Sequence, residues 1–324
     1  KLNFYLLNQI MRIIVTGASG YVGSQLCKEI SKSNENYLIA LDRNQLRHNY
    51  YNEKHLGEFQ NFFSKNLFSG IDCVIHLAGS SLISPSMKDP RKYYENNVMA
   101  SIQLLNECIR NNVKNFIFAS SASVYGNNNK QICKEDDLCV PLSPYARSKY
   151  MVENIINDYT NAYKLNAVCL RLFNVAGADR DLEFGPSQYS THIISRLIKS
   201  TLKSESFTLN GNNYKTRDGS CVRDYIHVED VAKGILKASQ FVIKNQGFNL
   251  FNIGEGNGFS NLEIIKSIKI NTPLKPNIVV GPPRSEDTSI LIADTKLSND
   301  NLCWNTHFGL EEIIKTSYDW YKKF

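Results

Sequence analysis

Short apolar runs alternate with longer amphipathic stretches from residue 11 onward. The stretches 21–31, 91–112 and 144–163 are predicted to be helices, whereas 43–66 is polar, rich in tyrosine and predicted to be irregular. Strands that alternate with helices form a parallel sheet with helices on both faces, and such strands are almost continuously apolar. We therefore predict an α/β fold with a Rossmann-type doubly wound parallel sheet, whose strands are RIIVT (12–16), YLIALD (37–42), IDCVIHLA (71–78), NFIFASS (115–121) and NAVCLRLF (166–173).

The character of the sequence changes after Phe173, where glycine, proline and serine cluster in NVAGADRDLEFGPS. Polar loops interrupt the elements that follow. This change predicts a first, nucleotide-binding domain over 11–175 and a smaller C-terminal substrate-binding lobe over 176–324, with some segments that return to the first domain. Residues 1–10 are interpreted as an extension or tag.

Composition is that of an ordinary globular protein, with 42% hydrophobic and 21% charged residues. The formal net charge is +6, but the basic residues are scattered among acids, so neither a nucleic-acid partner nor a membrane partner is expected. The eight cysteines form no Cys-x-x-Cys pair, which predicts no metal site and favours a reducing, cytoplasmic setting.

The first predicted strand leads directly into TGASGYVGS, with glycines at positions 17, 20 and 23. Between a strand and a helix, such glycines allow a tight turn, a close approach of backbone to a pyrophosphate, and close helix packing. Asp42 follows nineteen residues after Gly23, at the end of the second strand. A carboxylate there accepts hydrogen bonds from a ribose diol, which favours NAD over NADP, although Arg43 lies next to it.

The stretch SPYARSK places Tyr145 and Lys149 one helical turn apart. Ser143 is a good N-cap and Pro144 a good first helical residue, so a helix should begin there. On that helix Tyr145 and Lys149 extend an apolar stripe made of Val152, Ile155, Ile156 and Tyr159. A lysine on an inward stripe either reaches the surface with its charged end or is held by a polar site, and the serine cluster SSASVYG (120–126) at another strand end favours the site.

These motifs together resemble the extended short-chain dehydrogenase/reductase superfamily, and within it the family of UDP-hexose 4-epimerases. The resemblance covers residues 11–324 and includes TGASGYVGS, HLAG (76–79), YYENNV (93–98), SSASVYG, SPYARSK, RLFNVAGA (171–178), VRDYIHVEDVA (222–232) and PRSED (283–287). It implies an NAD-dependent enzyme of nucleotide-sugar and galactose metabolism that works as a homodimer.

The resemblance also assigns roles to individual residues. Tyr145 is implied to be the catalytic base and acid, Lys149 its partner on the nicotinamide ribose, and Ser121 a hydrogen-bond partner of the sugar 4-OH. The implied cofactor contacts are Gly17, Ser19, Gly20, Tyr21, Val22, Gly23, Asp42, Arg43, Asn66, Leu67, Leu77, Ala78, Gly79, Asn96, Tyr145, Lys149 and Phe173. The implied contacts with the UDP-sugar substrate are Ser121, Tyr145, Asn174, Thr191, His192, Thr208, Asn210, Arg223, Arg284 and Asp287.

Some positions depart from the family pattern. Leu172 stands where tyrosine is common, the pair Asn66–Leu67 where an acidic residue usually precedes leucine or isoleucine, and Ser81 where lysine can occur. Leu291 falls at a position where, in the family, a tyrosine excludes N-acetylated sugars. Leucine therefore leaves both the UDP-glucose/galactose pair and the N-acetylated pair open.

The sequence leaves three alternatives open. A UDP-N-acetylglucosamine 4-epimerase would need the same residues. A nucleotide-sugar dehydratase would need an acid beside the serine or threonine, and SSASVYG has none. A non-catalytic NAD-binding sensor would not need Ser121, Tyr145 and Lys149 together, so their joint presence argues against it.

Overall fold

The computed structural model describes residues 10–58, 61–63, 66–127, 130–283 and 288–324. Its centre is a seven-stranded sheet in which every pair of neighbours is parallel. In spatial order the strands are β11 (Phe248–Ile253), β7 (Asn166–Leu172), β5 (Asn115–Ser121), β4 (Cys73–His76), β1 (Met11–Thr16), β2 (Asn36–Asp42) and β3 (Glu53–Leu56). The carboxyl ends of all seven strands therefore meet at one edge, where α/β sheets bind ligands.

Helices cover both faces of the sheet, and successive residues of β1 show why. Ile13 packs into a core with Leu26 of α1 (Tyr21–Ser31) and Ile235 of α7 (Val228–Lys244). Ile14, which points to the opposite face, packs with residues of α4 (Ala100–Arg110) and α5 (Pro144–Tyr163). Each central strand is buried on both faces, which explains its nearly continuous apolar sequence. Shorter helices complete this part: α2 (Ile83–Lys88), α3 (Pro90–Tyr93) and α9 (Lys296–Leu302).

The fold class, the five predicted strands and the helices at 21–31 and 144–163 are confirmed. The predicted helix at 91–112 is interrupted, because a π-helical turn (Tyr94–Met99) separates α3 from α4. The prediction that 43–66 is irregular was wrong, since β3 forms within it. The sequence of β3, EKHL, carries no apolar run because an edge strand pairs on one side only and alternates between exposed and partly buried positions.

The second half of the chain builds a smaller lobe beside the sheet. Its strands are β8 (Asn174–Ala176), β9 (Phe207–Asn210), β10 (Val222–His227), β12 (Gly258–Ser260), β13 (Ile278–Gly281) and β14 (Ile290–Ala293), and β14 pairs with β6 (Ile132–Cys133) from the first half. Helices α6 (Ile193–Leu202), α8 (Asn261–Asn271) and α10 (Leu310–Tyr321) pack on a core of their own that includes Ile198, Leu209 and Ile314. Within the described ranges, no helix is long and apolar enough to cross a membrane.

Candidate active site

The turn between β1 and α1 is packed too tightly for side chains larger than hydrogen. Gly17 has φ +74°, and a Cβ on it would lie 2.7 Å from the amide nitrogen of Ala78. A Cβ on Gly23 would overlap the carbonyl oxygen of Gly17. Gly20 caps α1 without any side-chain hydrogen bond, so the first N–H groups of the helix remain available to an anion.

Asp42 stands beside this turn at the end of β2. Its Oδ2 accepts a hydrogen bond from the amide of Ser19 at 2.9 Å, and its Oδ1 accepts one from the amide of Asn44 at 2.8 Å. Each carboxylate oxygen can accept a second hydrogen bond, so the carboxylate retains acceptor capacity for a diol. Arg43 is exposed and lies 3.7 Å from the carboxylate of Glu58.

A cavity of about 510 Å³ begins at the glycine turn and extends across the carboxyl edge of the sheet to the second lobe. Most of the site residues predicted from the sequence line it: Gly17, Gly20, Tyr21, Val22, Gly23, Leu77, Gly79, Ser121, Tyr145, Lys149, Phe173, Asn174, Thr191, His192, Thr208, Asn210 and Arg223. Ser81 and Leu291 also line it. Arg284 and Asp287 lie outside the described residues.

Seven predicted cofactor contacts do not line the cavity: Ser19, Asp42, Arg43, Asn66, Leu67, Ala78 and Asn96. Two of them, Ala78 and Asn96, make hydrogen bonds to other residues at or near the cavity wall. The amide of Ala78 donates to Thr16 Oγ1 at 3.3 Å, and Asn96 Nδ2 donates at 3.1 Å to Ser80 Oγ, which does line the cavity. Asn66 is exposed, and Leu67 packs against the apolar core next to α4, so neither is placed in the cavity wall.

Tyr145 lies in the first turn of α5, where it is buried and lines the cavity. The helix begins as predicted, because Ser143 Oγ accepts a hydrogen bond from the amide of Ala146 at 3.2 Å. The Tyr145 ring meets Tyr93 edge to face, with centroids 6.3 Å apart. Burial raises the pKa of Tyr145, and a hydrogen bond with Ser121 opposes that rise. A nearby cation is therefore needed before the phenolate forms at neutral pH.

Lys149, one turn further along α5, is the cation that the resemblance assigns to this role, and its side chain is buried. The residue is 6% exposed, so the alternative in which its charged end reaches the surface is excluded. Its Nζ donates to the carbonyl oxygen of Ala119 at 2.8 Å and lies 4.6 Å from the centre of the Phe118 ring. Burial lowers the pKa of Lys149 to about 8. The ammonium group is thus held one helical turn from Tyr145, at the end of β5.

Ser123 is a residue of the cavity that sequence reasoning missed. Its hydroxyl donates to Ser121 Oγ at 2.9 Å, and its amide donates to the same oxygen at 3.2 Å. These two bonds orient the Ser121 hydroxyl so that its proton points away from Ser123. The repeated serines in SSASVYG indicated a group of hydroxyls at this strand end. The sequence alone does not show which of these hydroxyls orients another.

The second lobe contributes polar groups held by the backbone. Asn174 Nδ2 donates at 2.8 Å to the carbonyl oxygen of Asp224, and Arg223 Nη1 donates at 2.9 Å to that of Val222. Thr191 and His192 lie just before α6, and Thr208 and Asn210 lie on β9. Sequence reasoning missed Arg196, whose guanidinium lies 5.1 Å from the centre of the Phe207 ring at the cavity wall.

The charge of the cavity wall has one sign. Lys149, Arg196 and Arg223 line it, and no aspartate or glutamate lines it among the residues that the structure describes. A site with this balance attracts anions, and guanidinium groups suit phosphates because they offer paired, charge-assisted hydrogen bonds. The arrangement can bind a dinucleotide at the glycine turn and a second anionic ligand toward the second lobe.

Comparison with known proteins gives consistent matches over most of the chain. Residues 13–254 match the profile of the NAD dependent epimerase/dehydratase family. The chain is 35% identical to the UDP-glucose 4-epimerase of Lactobacillus helveticus, covering 96% of this chain and 97% of the relative. The crystal structure of UDP-glucose 4-epimerase from Brucella ovis in complex with NAD is similar with a TM-score of 0.90 at 30% identity, covering 95% of this chain and 98% of that one. The epimerase from Bifidobacterium longum in complex with NAD+ and UDP has a TM-score of 0.88 at 27% identity, covering 97% and 98%.

Proposed function

The chain belongs to the NAD dependent epimerase/dehydratase family, and we propose that it inverts the configuration at C4 of UDP-hexoses, interconverting UDP-glucose and UDP-galactose. The main support for this proposal is the position of three side chains. Tyr145, Lys149 and Ser121 converge on a cavity that begins at a glycine turn suited to a dinucleotide. Relatives with that function match the chain over nearly its whole length.

The residues around the glycine turn fit NAD. The first N–H groups of α1 are not bonded by any capping side chain and suit a pyrophosphate, and Gly17 and Gly23 let the turn pack closely against Ala78 and the start of α1. The Asp42 carboxylate suits an unphosphorylated ribose diol and would repel a 2′-phosphate. When bound, NAD supplies an acceptor for the hydride of C4 and returns that hydride, so the reaction is redox-neutral overall.

Tyr145 is proposed to carry the proton in both directions. As phenolate it takes the proton of the sugar 4-OH while C4 is oxidised, and it returns that proton to the ketone oxygen when C4 is reduced from the other face. The positive charge of Lys149 favours the phenolate form of Tyr145. Ser121, which is oriented by Ser123, offers a hydrogen bond to the phenolate oxygen of Tyr145. Inversion requires that the 4-keto sugar turn over between the two transfers.

The second lobe is proposed to hold the nucleotide end of the substrate. Arg223 suits the pyrophosphate, and Asn174, Thr191 and His192 suit the polar atoms of the nucleotide sugar. Arg284 and Asp287, which fall outside the described residues, remain proposed for the pyrophosphate and the ribose. Keeping the UDP group fixed while the sugar rotates explains how one site presents both faces of C4.

Leu291 favours a second substrate pair, the N-acetylated UDP-hexoses. It lies on β14 in the cavity wall beside Arg223, with which it pairs across the sheet. A leucine side chain leaves space that a tyrosine would occupy. Activity on UDP-N-acetylglucosamine and UDP-N-acetylgalactosamine is therefore proposed alongside that on the unsubstituted sugars.

We further propose that the protein works in the cytoplasm as a homodimer. All eight cysteines are free and six of them are buried, which suits a reducing compartment. Met99, Met151 and Tyr163 are exposed large apolar or aromatic residues on the helical layer formed by α4, α5 and the π-helical turn. An apolar surface of that kind supports contact with a second copy of the chain, and light scattering on the purified protein tests it.

Separate incubations with UDP-galactose and UDP-N-acetylgalactosamine test the proposed function. We expect UDP-glucose and UDP-N-acetylglucosamine as the respective products, each at an equilibrium that is reached from both directions. A 4,6-dehydratase would instead lose water from the sugar and give a deoxy-keto product. Purified protein that binds NAD but converts neither UDP-sugar would support a sensor.

A further inference from the structure

A buried ion pair lies directly behind the proposed catalytic residues. Glu153 follows Lys149 by one turn of α5, and its two carboxylate oxygens face the guanidinium of Arg171 on β7. Arg171 Nε donates to Oε1 at 3.1 Å and Nη2 donates to Oε2 at 2.8 Å. Both residues are 3% exposed. A buried pair often gives no more stability than apolar residues of the same volume, so its stability alone does not explain its place here.

Glu153 also reaches the strand that carries Ser121. The hydroxyl of Ser120 donates to Glu153 Oε1, and Lys149 Nζ donates to the carbonyl oxygen of the preceding residue, Ala119. Two consecutive residues of β5 are therefore tied to two consecutive turns of α5. Ser121 comes next in β5, so these bonds set its position relative to Tyr145 on the first turn of α5.

Arg171 is fixed from the other side by a chain of buried contacts. Its Nη1 donates at 3.0 Å to the carbonyl oxygen of Glu135, and its guanidinium lies 4.7 Å from the centre of the Tyr125 ring. Tyr125 in turn donates its hydroxyl to Asn252 Oδ1 on β11 at 2.6 Å. Because Arg171 is held in this way, its bidentate bond gives the Glu153 carboxylate one orientation.

We infer that Glu153 is a positioning residue for the proposed epimerase reaction, holding Ser121 and Lys149 in place against Tyr145 through its bonds to Ser120 and Arg171. The inference rests on the proposed function. It adds an electrostatic consequence, because the carboxylate lies near the Lys149 ammonium and favours its charged form.

Several groups face Lys149 from the elements packed around it. Burial lowers the pKa of Lys149, and the Glu153 carboxylate acts in the opposite direction. His76 on β4 is neutral, because burial lowers its pKa to about 3. Cys169 on β7 is a buried thiol whose pKa is raised by burial, so it stays uncharged at working pH. Tyr145, one turn earlier on α5, and the Arg171 guanidinium, which is paired with Glu153, are further titratable or charged groups on these elements.

Three variants test the inference in the intact holoenzyme: S120A, E153Q and the double variant E153Q/R171Q. In E153Q we expect kcat to fall at least about tenfold with little change in KM, because small misplacements of reacting groups are costly. The alkaline limb of its kcat–pH profile should move to lower pH, since Lys149 loses a favourable charge. The double variant removes both charges and should return that limb toward the wild-type position. S120A should lower kcat and leave the limb in place.

Melting temperatures identify any variant that does not fold, and the double variant, which leaves no unpaired charge, is the one expected to fold most securely. Hydrogen–deuterium exchange of the peptide 115–124 gives a readout that needs no substrate, with faster exchange expected in E153Q and S120A. Wild-type kcat and pH profile in both E153Q and S120A would overturn the inference while leaving the proposed function intact. If the wild type converts no UDP-sugar, the proposed function fails, and unchanged exchange in E153Q would then overturn the inference separately.

Discussion

The ammonium nitrogen of Lys149 lies 2.8 Å from the carbonyl oxygen of Ala119, at the point where β5 ends and the serine cluster begins. This bond ties α5 to the strand that carries Ser121. It also keeps a cation buried one helical turn from Tyr145.

Replacing Tyr145 with phenylalanine should lower kcat for UDP-galactose by about 10³-fold, because a positioned acid–base group contributes 10²–10⁴-fold. Cofactor content of the purified variant should be unchanged. Tyr93→Phe is the matched control, since it keeps the ring that meets Tyr145 and removes only a hydroxyl that donates to the carbonyl oxygen of Leu82. Comparable losses in the two variants would contradict the assignment.

Replacing Lys149 with methionine should abolish activity yet stabilise the cofactor-free fold at neutral pH. Because the pKa falls from 10.5 to about 8 in the folded state, the unfolded chain binds the extra proton between those values. The unfolding free energy of the wild type therefore rises with pH across that window. The K149M gain should be up to about 3 kcal/mol at pH 7 and should shrink toward pH 10.5.

Urea denaturation of both proteins at pH 7 and at pH 10 measures the difference. A gain of equal size at both values would show that burial of the charged amine is not its cause. A loss of stability at pH 7 would contradict the prediction outright.

Replacing Gly23 with alanine should prevent tight cofactor binding, because the new methyl group would overlap the carbonyl oxygen of Gly17. The N-terminus of α1 would then shift away from the turn. Gly309→Ala is the control, since a Cβ there meets nothing within 4 Å and the φ of that glycine is −86°. NAD retained after purification, measured by absorbance, should fall only in G23A.

Replacing Asp42 with asparagine should weaken NAD binding by about tenfold and narrow the preference over NADP, because a charged hydrogen-bond acceptor is lost. Asp72→Asn serves as the control, since Asp72 Oδ2 also accepts a backbone amide, that of Arg12 at 2.8 Å, at the opposite edge of the sheet. Fluorescence titration of cofactor-free protein gives both affinities. Equal NAD affinity in D42N and wild type would show that Asp42 makes no contact with the ribose of NAD.

Replacing Leu291 with tyrosine should reduce activity on UDP-N-acetylgalactosamine at least about tenfold while sparing UDP-galactose, because overfilling a packed wall excludes the larger ligand. Leu291 is 9% exposed and lines the cavity, so added volume must project into it or displace neighbours. Leu291→Met keeps the volume and should retain both activities. Parallel kcat/KM measurements on the two sugars decide the point.

Much of the fold could be predicted from the local sequence pattern. Buried parallel strands have continuous apolar runs, and α5 has both an N-cap residue, Ser143, and an apolar face in its own sequence. The edge strand β3 could not be found in this way, as its residues EKHL show no such run. The π-helical turn at 94–99 also left no signal in the hydrophobic period. Both are set by neighbours in space.

Some residues of the candidate site could likewise be predicted from the sequence, whereas others could not. Glycines, Asp42, Tyr145 and Lys149 lie in contiguous motifs, so their chemistry is visible in the sequence. Glu153 and Arg171 are eighteen residues apart and meet only when β7 lies beside α5. Arg43, which the resemblance implies as a cofactor contact, is exposed and lies near Glu58, and its contact with the cofactor stays a prediction.

Incubation of purified protein, with no added NAD, with UDP-galactose that carries deuterium at C4 tests the transfer of hydride at C4 directly. We predict UDP-glucose in which C4 retains the deuterium, because the same hydride leaves C4 and returns to its other face. Absence of conversion, or UDP-glucose whose C4 deuterium has been lost to solvent, would rule out this hydride transfer.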